Sequence, residues 1–283
     1  MIAFYGMGLL GSNFVRALRH RGEAVRVWNR NPERARPLAA DGAIVVEDPA
    51  VAARGATQIH LTLSDDAAVD GVLERIFTGL EPGAVIVDHT TTSPAGTLVR
   101  AKRWAERGFP FLHAPVFMGP QNALESSGAM LASGDRALYD RLAPDLAKMT
   151  GRLVYLGPEP ERAAAFKLLG NAFLMFITAG CADVLALGKA FGLKPADVAT
   201  LFQFFNPAGT VPLRLERMMA QNFDSPSWEL AMARKDARLM IEAAAQKEVP
   251  LAVIPTIAGE MDRFIARGHA HDDWTVIAKD SVS

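Results

Sequence analysis

The sequence predicts an α/β N-terminal domain with a mostly parallel sheet, followed by a long interdomain helix and an all-helical C-terminal domain. In residues 1–160, short apolar runs alternate with longer helix-like runs, a pattern typical of parallel sheets covered by helices. From residue 161 onward the strand-like runs stop and helical periodicity continues. The segment Gly157-Pro158-Glu159-Pro160 is incompatible with a helix, so it marks the boundary between domains 1–160 and 161–283.

Each element is placed from its local pattern. Strands are expected at 2–5, 24–28, 43–46, 58–63, 84–88, 111–114, 129–132 and 153–155. Helices are expected between them at 8–20, 32–40, 65–77 and 94–107, and Pro32 and Pro94 suit first-turn positions. In the second domain, helices are expected at 161–191, 195–205, 211–220, 227–247 and 251–267. The first of these is apolar around most of its circumference, which predicts that it is buried.

Composition indicates a globular chain that acts on a small molecule. Half of the 283 residues are hydrophobic, 22% are charged, and the net charge is −1, which gives no basic surface for nucleic acid or a membrane. The apolar tract 168–182 is shorter than a membrane span of ~20 residues. The sole cysteine, Cys181, requires no oxidising compartment and is expected to be buried. No signal peptide or metal-ligand spacing is recognised, so a cytoplasmic protein without a metal site is expected.

A phosphate-binding loop is predicted after the first strand. The motif is a G-x-G-x-x-G that opens a helix: Gly6, Met7, Gly8, Leu9, Leu10 and Gly11. Gly6 allows a tight turn, Gly8 lets the backbone approach a pyrophosphate, and Gly11 lets the helix pack close to the strand. The helix N-terminus then offers free N–H groups to phosphate. This combination predicts a Rossmann domain that binds a dinucleotide.

The end of the second strand predicts which dinucleotide is bound. An NAD site usually has Asp or Glu there for the ribose 2′-OH, whereas an NADP site usually has Arg for the 2′-phosphate. This strand ends in Asn29-Arg30-Asn31, and no acid appears before Glu33. Arg30 can pair with a phosphate, while Asn29 and Asn31 can add neutral hydrogen bonds. We therefore expect NADP(H); the alternative is that Arg30 is a solvated loop charge.

A proton donor is predicted on the long helix. Lys167 and Asn171 are four residues apart, so they share one helix face. An ammonium group can protonate a carbonyl oxygen as hydride reaches the carbon, and the neutral amine can accept the alcohol proton in reverse. Asn171 can hold the substrate or the lysine without adding charge. The alternative is a lysine that reaches solvent beside a packing asparagine.

These features, taken in order, resemble the β-hydroxyacid dehydrogenase family, which includes 3-hydroxyisobutyrate and tartronate-semialdehyde reductases. The segment Asp88-His89-Thr90-Thr91-Thr92-Ser93-Pro94 is similar to the family's D-x-S-T-x-x-P. The segment Lys167-Leu168-Leu169-Gly170-Asn171 is similar to its K-x-x-x-N, and Lys235-Asp236 matches its K-D pair. With the glycine loop, these signatures extend over nearly the whole chain.

The resemblance implies roles for individual residues. Thr91 matches a threonine near the nicotinamide end of the cofactor, and Leu63 lies in the loop along the adenosine ribose. Lys167 matches the catalytic lysine, and Asn171 its neighbour in the site. Lys235 matches a lysine that closes over the cofactor from the second domain. A homodimer or larger assembly through the helical domain is also implied.

One signature departs from the family. The family's D-A-P-V-S-G-G carries Ser-Gly-Gly donors for the substrate carboxylate. In this chain Phe117 replaces the serine and Met118 replaces the first glycine, so that of the three donor residues only Gly119 matches. An apolar substrate pocket with weak activity on small hydroxy acids is therefore expected. Two alternatives stay open. In one, Phe117 and Met118 are core residues of a loop turned differently; in the other, Gly119, Gln121 and Asn122 supply substitute donors.

The sequence thus predicts an NADP(H)-dependent oxidoreductase that transfers hydride between nicotinamide and a small carbonyl or hydroxy compound, with Lys167 as general acid/base. An imine reductase-like enzyme is one alternative, although such enzymes generally replace this lysine. A non-catalytic NADP-binding interaction protein on the same fold is another, and loss of the lysine would favour it.

Overall fold

The computed structural model describes residues 1–282. Its N-terminal part contains a six-stranded parallel sheet with strand order β3-β2-β1-β4-β5-β6. The strands are β1 (Ile2–Tyr5), β2 (Val25–Trp28), β3 (Ile44–Val45), β4 (Gln58–Leu61), β5 (Val85–Asp88) and β6 (Phe111–His113). This confirms the predicted α/β domain. The order of strands changes direction at β1 and β4, so the loops that follow these two strands form a crevice at the carboxyl edge of the sheet.

Helices connect the strands, and each face of the sheet has its own core. The helices are α1 (Leu9–His20), α2 (Pro49–Ala53), α3 (Asp66–Ile76) and α4 (Pro94–Glu106). Because side chains alternate along a strand, Phe4 and Val87 enter one apolar cluster and Tyr5 and Ile86 enter the other. The expected helix at 32–40 consists instead of two 3-10 turns, Pro32–Arg34 and Arg36–Ala39. Pro37 explains the break, because it supplies no N–H in what would be the helix interior.

A smaller three-stranded sheet completes the first part. It contains β7 (Val116–Phe117), β8 (Ala129–Ala132) and β9 (Arg152–Tyr155), joined by α5 (Pro120–Glu125) and α6 (Arg136–Leu146). Strands β7 and β8 are antiparallel, whereas β8 and β9 are parallel. Strands β8 and β9 were predicted from the sequence, whereas β7, α2, α5 and α6 were not.

The remaining residues are helical, as predicted. They form α7 (Arg162–Ala190), α8 (Pro195–Phe204), α9 (Val211–Met219), α10 (Leu230–Gln246) and α11 (Ile254–Ala266), followed by a 3-10 segment, Trp274–Ser281. The chain divides into two compact units, the first ending at Asn171 and the second beginning at Ala172. In the second unit, buried Asp183 accepts hydrogen bonds from the N–H groups of Ala252, Val253 and Ile254, and so fixes the start of α11 against α7.

Helix α7 is not buried within this chain, so that prediction was wrong. Met175 and Phe176 are 68% and 69% exposed, and Cys181, also expected to be buried, is exposed. An apolar circumference indicates that a helix is covered, but it does not indicate which chain covers it. By length and composition alone α7 could also cross a membrane, with a mean hydropathy of 1.7 in its most apolar stretch.

Candidate active site

The loop after β1 has the backbone that its glycines predict. Gly6 has a φ of +96°, and a Cβ at this position would lie 2.1 Å from the carbonyl oxygen of Thr62. A Cβ at Gly11 would lie 2.0 Å from the carbonyl oxygen of Gly6, so a side chain there would separate α1 from β1. Gly8 begins α1 without a side-chain cap, and no atom lies within 4 Å of its missing Cβ. The first N–H groups of α1 are therefore open to an anion, which fits a dinucleotide pyrophosphate.

The three apolar residues of the motif have different surroundings. The side chain of Met7 is buried in the core, while its N–H donates to Oδ1 of Asn29 at 2.8 Å. Leu10 packs against the same core, and Leu9 is 78% exposed. A contact of these residues with a dinucleotide would therefore come from their backbone or, for Leu9, from an exposed side chain.

A cavity of about 680 Å³ opens beside this loop and brings together most of the predicted adenosine-end residues. Its lining includes Gly6, Gly8, Asn29, Arg30, Asn31 and Leu63. Asn29 also donates to the carbonyl oxygen of Asn31 at 2.7 Å, and Asn31 accepts from the N–H of Glu33 at 3.1 Å. Both asparagine side chains thus hold the loop in shape, which leaves the exposed Arg30 as the charged group of this turn.

Two further arginines, neither of them predicted from the sequence, line this cavity. Arg34 lies one turn after Arg30, and this spacing could have signalled it. Arg75 comes from α3, and its guanidinium carbon lies 5.2 Å from the ring centroid of Trp28 at the end of β2. Only the folded chain brings α3 to this edge, so no local pattern could have indicated Arg75. Three cationic groups around one cavity favour a ligand with an additional phosphate.

The carboxyl ends of β4, β5 and β6 are tied together by buried hydrogen bonds. His89 Nδ1 donates to the carbonyl oxygen of Ala114 at 2.7 Å, and His89 Nε2 lies 3.0 Å from Nδ1 of His60. Burial lowers the pKa of His89 to about 4 and that of His60 well below its usual 6.5, so both rings are neutral near pH 7. Next to them, Thr90 Oγ1 accepts from the N–H of Leu63 at 2.9 Å. These bonds hold the Leu63 loop against the loop that begins after β5.

Thr91 occupies an exposed position in that loop. It lies between Thr90 and Thr92, whose side chains are buried. Thr92 Oγ1 bonds to Thr97 Oγ1 at 2.9 Å, which secures the loop to α4. Of the three threonines at the carboxyl edge of the sheet, Thr91 is therefore the exposed one.

Lys167, Asn171 and Phe117 come together at the start of α7. Lys167 Nζ donates to Oδ1 of Asn171 at 2.9 Å and lies 4.4 Å from the ring centroid of Phe117 on β7. Lys167 is half-buried, and burial lowers the pKa of its ammonium group from the usual range. Within residues 1–282 no carboxylate forms an ion pair with this lysine. Such a group can donate a proton more readily than an exposed lysine.

The rest of the Phe117 loop offers few free donors. A Cβ at Gly128 would lie 3.0 Å from Cγ of Met118, whose side chain packs against the core of the first part. The N–H of Gly119 donates to Oδ1 of Asn122 at 2.9 Å, and Asn122 Nδ2 donates to Oγ of Ser127 at 3.0 Å. In a separate bond, Gln121 Nε2 donates to Oε1 of Glu125 at 2.5 Å. The groups considered as substitute carboxylate donors are thus engaged with one another or with their neighbours.

Lys235 is the one predicted site residue in the second compact unit. It lies on α10 with its side chain 47% exposed, and its Nζ is 3.0 Å from Oδ1 of Asp236. Across the described residues 1–282, no group of three His, Cys, Asp or Glu side chains is arranged to hold a metal ion.

An uncapped helix N-terminus, a tight glycine turn and a basic cavity at the switch point of a parallel sheet define a dinucleotide-binding protein. The family of the NAD binding domain of 6-phosphogluconate dehydrogenase matches residues 1–157. The 3-sulfolactaldehyde reductase of Escherichia coli (strain K12) is 28% identical over 282 residues, which cover 98% of this chain and 94% of the relative. The chain belongs to the β-hydroxyacid dehydrogenase family and is a nicotinamide-dependent oxidoreductase.

Solved structures share the fold over almost the whole chain. The imine reductase from Myxococcus stipitatus in complex with NADP+ is 20% identical, with a TM-score of 0.92 and 99% of each chain covered. The imine reductase of Streptomyces aurantiacus is 27% identical, with a TM-score of 0.91 and 99% of each chain covered. The combination of a parallel-sheet domain, a long helix and a helical C-terminal part is therefore shared with known reductases.

Proposed function

We propose that this protein is an NADP(H)-dependent reductase or dehydrogenase that interconverts a small carbonyl compound and its alcohol, with Lys167 as general acid/base. The observation that carries the proposal is the half-buried ammonium of Lys167, which donates to the neutral amide oxygen of Asn171 at 2.9 Å. The ammonium therefore carries an ionisable proton at a site where no carboxylate neutralises its charge. Domain 1–160 would supply the cofactor site, and the all-helical domain 161–283 would serve substrate binding and dimerisation.

The bound nicotinamide would supply or accept the hydride. Lys167 would donate its proton to the developing alkoxide oxygen during reduction and, as the neutral amine, accept the alcohol proton during oxidation. Asn171 occupies one N–H of the ammonium, which restricts its rotation and leaves two N–H groups for the substrate oxygen. Burial lowers the pKa of Lys167 towards working pH, which favours release of its proton to a substrate oxygen.

Charge at the adenosine end supports the choice of NADP(H). Arg30, Arg34 and Arg75 line the cavity beside the glycine loop, and no acid takes the place where an NAD site carries Asp or Glu. We assign Arg30 to the 2′-phosphate. The backbone of the glycine loop would hold the pyrophosphate, and Leu63, Thr91 and Lys235 would add the contacts that the family resemblance implies.

The Phe117 loop supports an apolar carbonyl substrate over a small hydroxy acid. Phe117 has no hydroxyl group, and the N–H of Gly119 is engaged by Asn122. A substrate carboxylate would therefore have to break an existing bond before this loop could hold it. Because Met118 packs against the core, Phe117 is the residue of this loop whose side chain we expect to contact the substrate.

Lys167→Ala tests the central assignment. The variant is expected to keep its affinity for NADPH and to lose at least about 10²-fold in turnover, because a positioned proton donor contributes about that much. Asn171→Ala is expected to lose less. NADPH affinity is measured by fluorescence titration and turnover by NADPH absorbance on a panel of aldehydes and ketones. Near-native turnover of Lys167→Ala on the best substrate would reject the assignment.

An imine reductase is the second candidate, favoured by the Streptomyces aurantiacus neighbour at 27% identity and a TM-score of 0.91. The lysine on α7 stands against it, because its charge would repel an iminium ion. Assays of cyclic imines beside carbonyl compounds distinguish the two candidates, and a higher kcat/KM for imines would establish the second.

We also propose a cytoplasmic, self-associating enzyme, and the exposed helices support its self-association. Apolar side chains on α7 to α9, such as Met175, Phe176, Phe204 and Leu213, are between 68% and 80% exposed. Large apolar side chains exposed in this number on a chain of ordinary composition indicate an interface. We propose that a second copy of the chain covers it, giving a homodimer or a larger homo-oligomer.

A further inference from the structure

The Phe117 ring occupies the space above Gly170 on α7. A Cβ at Gly170 would lie 2.3 Å from Cζ and 2.6 Å from Cε1 of the ring. Both distances are far shorter than a carbon–carbon contact of about 3.5 Å. Any side chain at position 170 would therefore displace the ring, so Phe117 and Gly170 form a matched pair.

The same ring lies beside the ammonium group of Lys167. Nζ is 4.4 Å from the ring centroid, within the range of a cation–π contact. Lys167, Gly170 and Asn171 share one face of α7, because residues three and four apart are neighbours on a helix. The hydrogen bond of Lys167 is thus with Asn171 on its own helix and its cation–π contact with Phe117 on β7, neither of which titrates. Burial is the cause of the lowered pKa of Lys167.

We propose that Phe117 is a positioning residue that holds Lys167 in its protonated, proton-donating form through the face of its ring. This inference rests on the proposed role of Lys167 as general acid. The π face attracts the ammonium but not the neutral amine, so the contact favours the charged form. Burial has the opposite effect, because it removes water from the charge. The ring therefore keeps a half-buried lysine charged without the help of a carboxylate. A carboxylate in its place would bind the ammonium proton and occupy the site.

Removing the ring leaves burial unopposed, so the pKa of Lys167 falls by about one unit, the shift that corresponds to a cation–π contact of usual strength. Reduction requires the ammonium form. The pH above which kcat/KM for reduction declines should therefore move down by the same amount.

Two independent substitutions remove the contact. Phe117→Leu keeps an apolar side chain but has no π face, and Gly170→Ala displaces the ring without altering Phe117. Gly180→Ala is the matched control, since it adds a methyl group to the same helix where no atom lies within 4 Å. The Phe117→Leu/Gly170→Ala double variant should differ little from Phe117→Leu, because the methyl group then has no aromatic ring to displace.

The pKa of Lys167 is measured in the full-length protein by NMR of ¹³Cε-labelled lysine, with the signal assigned by its loss in Lys167→Ala. This readout does not depend on turnover, and each variant is first checked for native circular dichroism. A lower pKa in Phe117→Leu and Gly170→Ala, but not in Gly180→Ala, supports the proposal. An unchanged pKa in the first two variants overturns it. A lowered pKa with an unchanged pH profile of kcat/KM would uphold the ring contact and reject Lys167 as the acid.

Discussion

Mild acid should destabilise the cofactor-binding part through two buried histidines. The rings of His60 and His89 are buried at the carboxyl ends of β4 and β5, and burial lowers both pKa values, to about 4 for His89. An unfolded histidine titrates near pH 6.5. Between these values the unfolded chain binds more protons than the folded chain. The contribution of these two histidines to the free energy of unfolding is therefore fully present above about pH 6.5 and falls as the pH drops towards 4.

The size of the loss follows from the two pKa values of His89. At about pH 5, the unfolded residue is roughly 97% protonated and the folded residue roughly 10%, which corresponds to a loss of about 2 kcal/mol relative to about pH 7.5. His60 adds a loss of the same sign. Most domains unfold at a cost of about 5–15 kcal/mol, so the effect should be easily measured. Hydrogen bonds lower the pKa of Asp273 to about 2. Carboxylates of this kind reduce the stability of the fold only at more acidic pH, where they become protonated.

Chemical denaturation at constant ionic strength, between about pH 7.5 and 4.5, measures the loss. His89→Gln can still donate to the carbonyl oxygen of Ala114 but cannot be protonated. The variant should be less stable than the native protein at pH 7.5. Acidification should lower its free energy of unfolding by about 2 kcal/mol less than that of the native protein. His20→Gln, which alters an exposed histidine at the end of α1, should retain the native profile. An identical loss in His89→Gln and the native protein would refute the reasoning, and so would a native protein equally stable at pH 7.5 and 5.

Three further outcomes are expected. Arg30→Ala should weaken NADPH binding by roughly 1.5–3 kcal/mol with little effect on NADH, measured by fluorescence titration; equal losses for both cofactors would contradict the 2′-phosphate assignment. Phe176→Glu places a charge on the exposed face of α7 and should lower the mass found by light scattering, whereas an unchanged mass would place the interface elsewhere. Phe117→Ser combined with Met118→Gly should raise kcat/KM for 3-hydroxyisobutyrate relative to bulkier apolar substrates; strong native activity on small hydroxy acids, unimproved by the change, would exclude an apolar pocket.

Regular elements could be predicted from the sequence because their patterns are local. The eight expected strands and the helices of the second part lie within a few residues of their observed positions. Strand β7 was missed because its two residues, Val116 and Phe117, are too few to show alternation. Helix α6 contains Pro144, a residue that argues against a helix, yet its capping residue Asp135 accepts from the N–H of Leu138 at 2.7 Å.

The residue types of the candidate site could be proposed from the sequence, but its contacts could not. The motif spacing indicated Arg30 and Lys167, since each belongs to a pattern with its own chemistry. It could not indicate that Asn29 would bond to the N–H of Met7, or that Arg75 would stack on Trp28. Such contacts join residues far apart in sequence, and only the register of the packed elements determines them. The exposure of α7 was misjudged for a related reason, because apolar periodicity does not distinguish the core of one chain from an interface between two.

The polar residues at the start of α7 agree with the proposed catalytic site. Lys167 and Asn171 lie together at the N-terminal end of this helix and bond to each other at 2.9 Å. Gly170, on the same face, has no side chain, and the ring of Phe117 fills that space. The N-terminal end of α7 thus has a polar face, and that face meets an aromatic ring from the cofactor-binding part. This complementarity is what the proposed proton-transfer role of Lys167 requires, because packing fixes the ammonium group in place and leaves its charge available to a substrate oxygen.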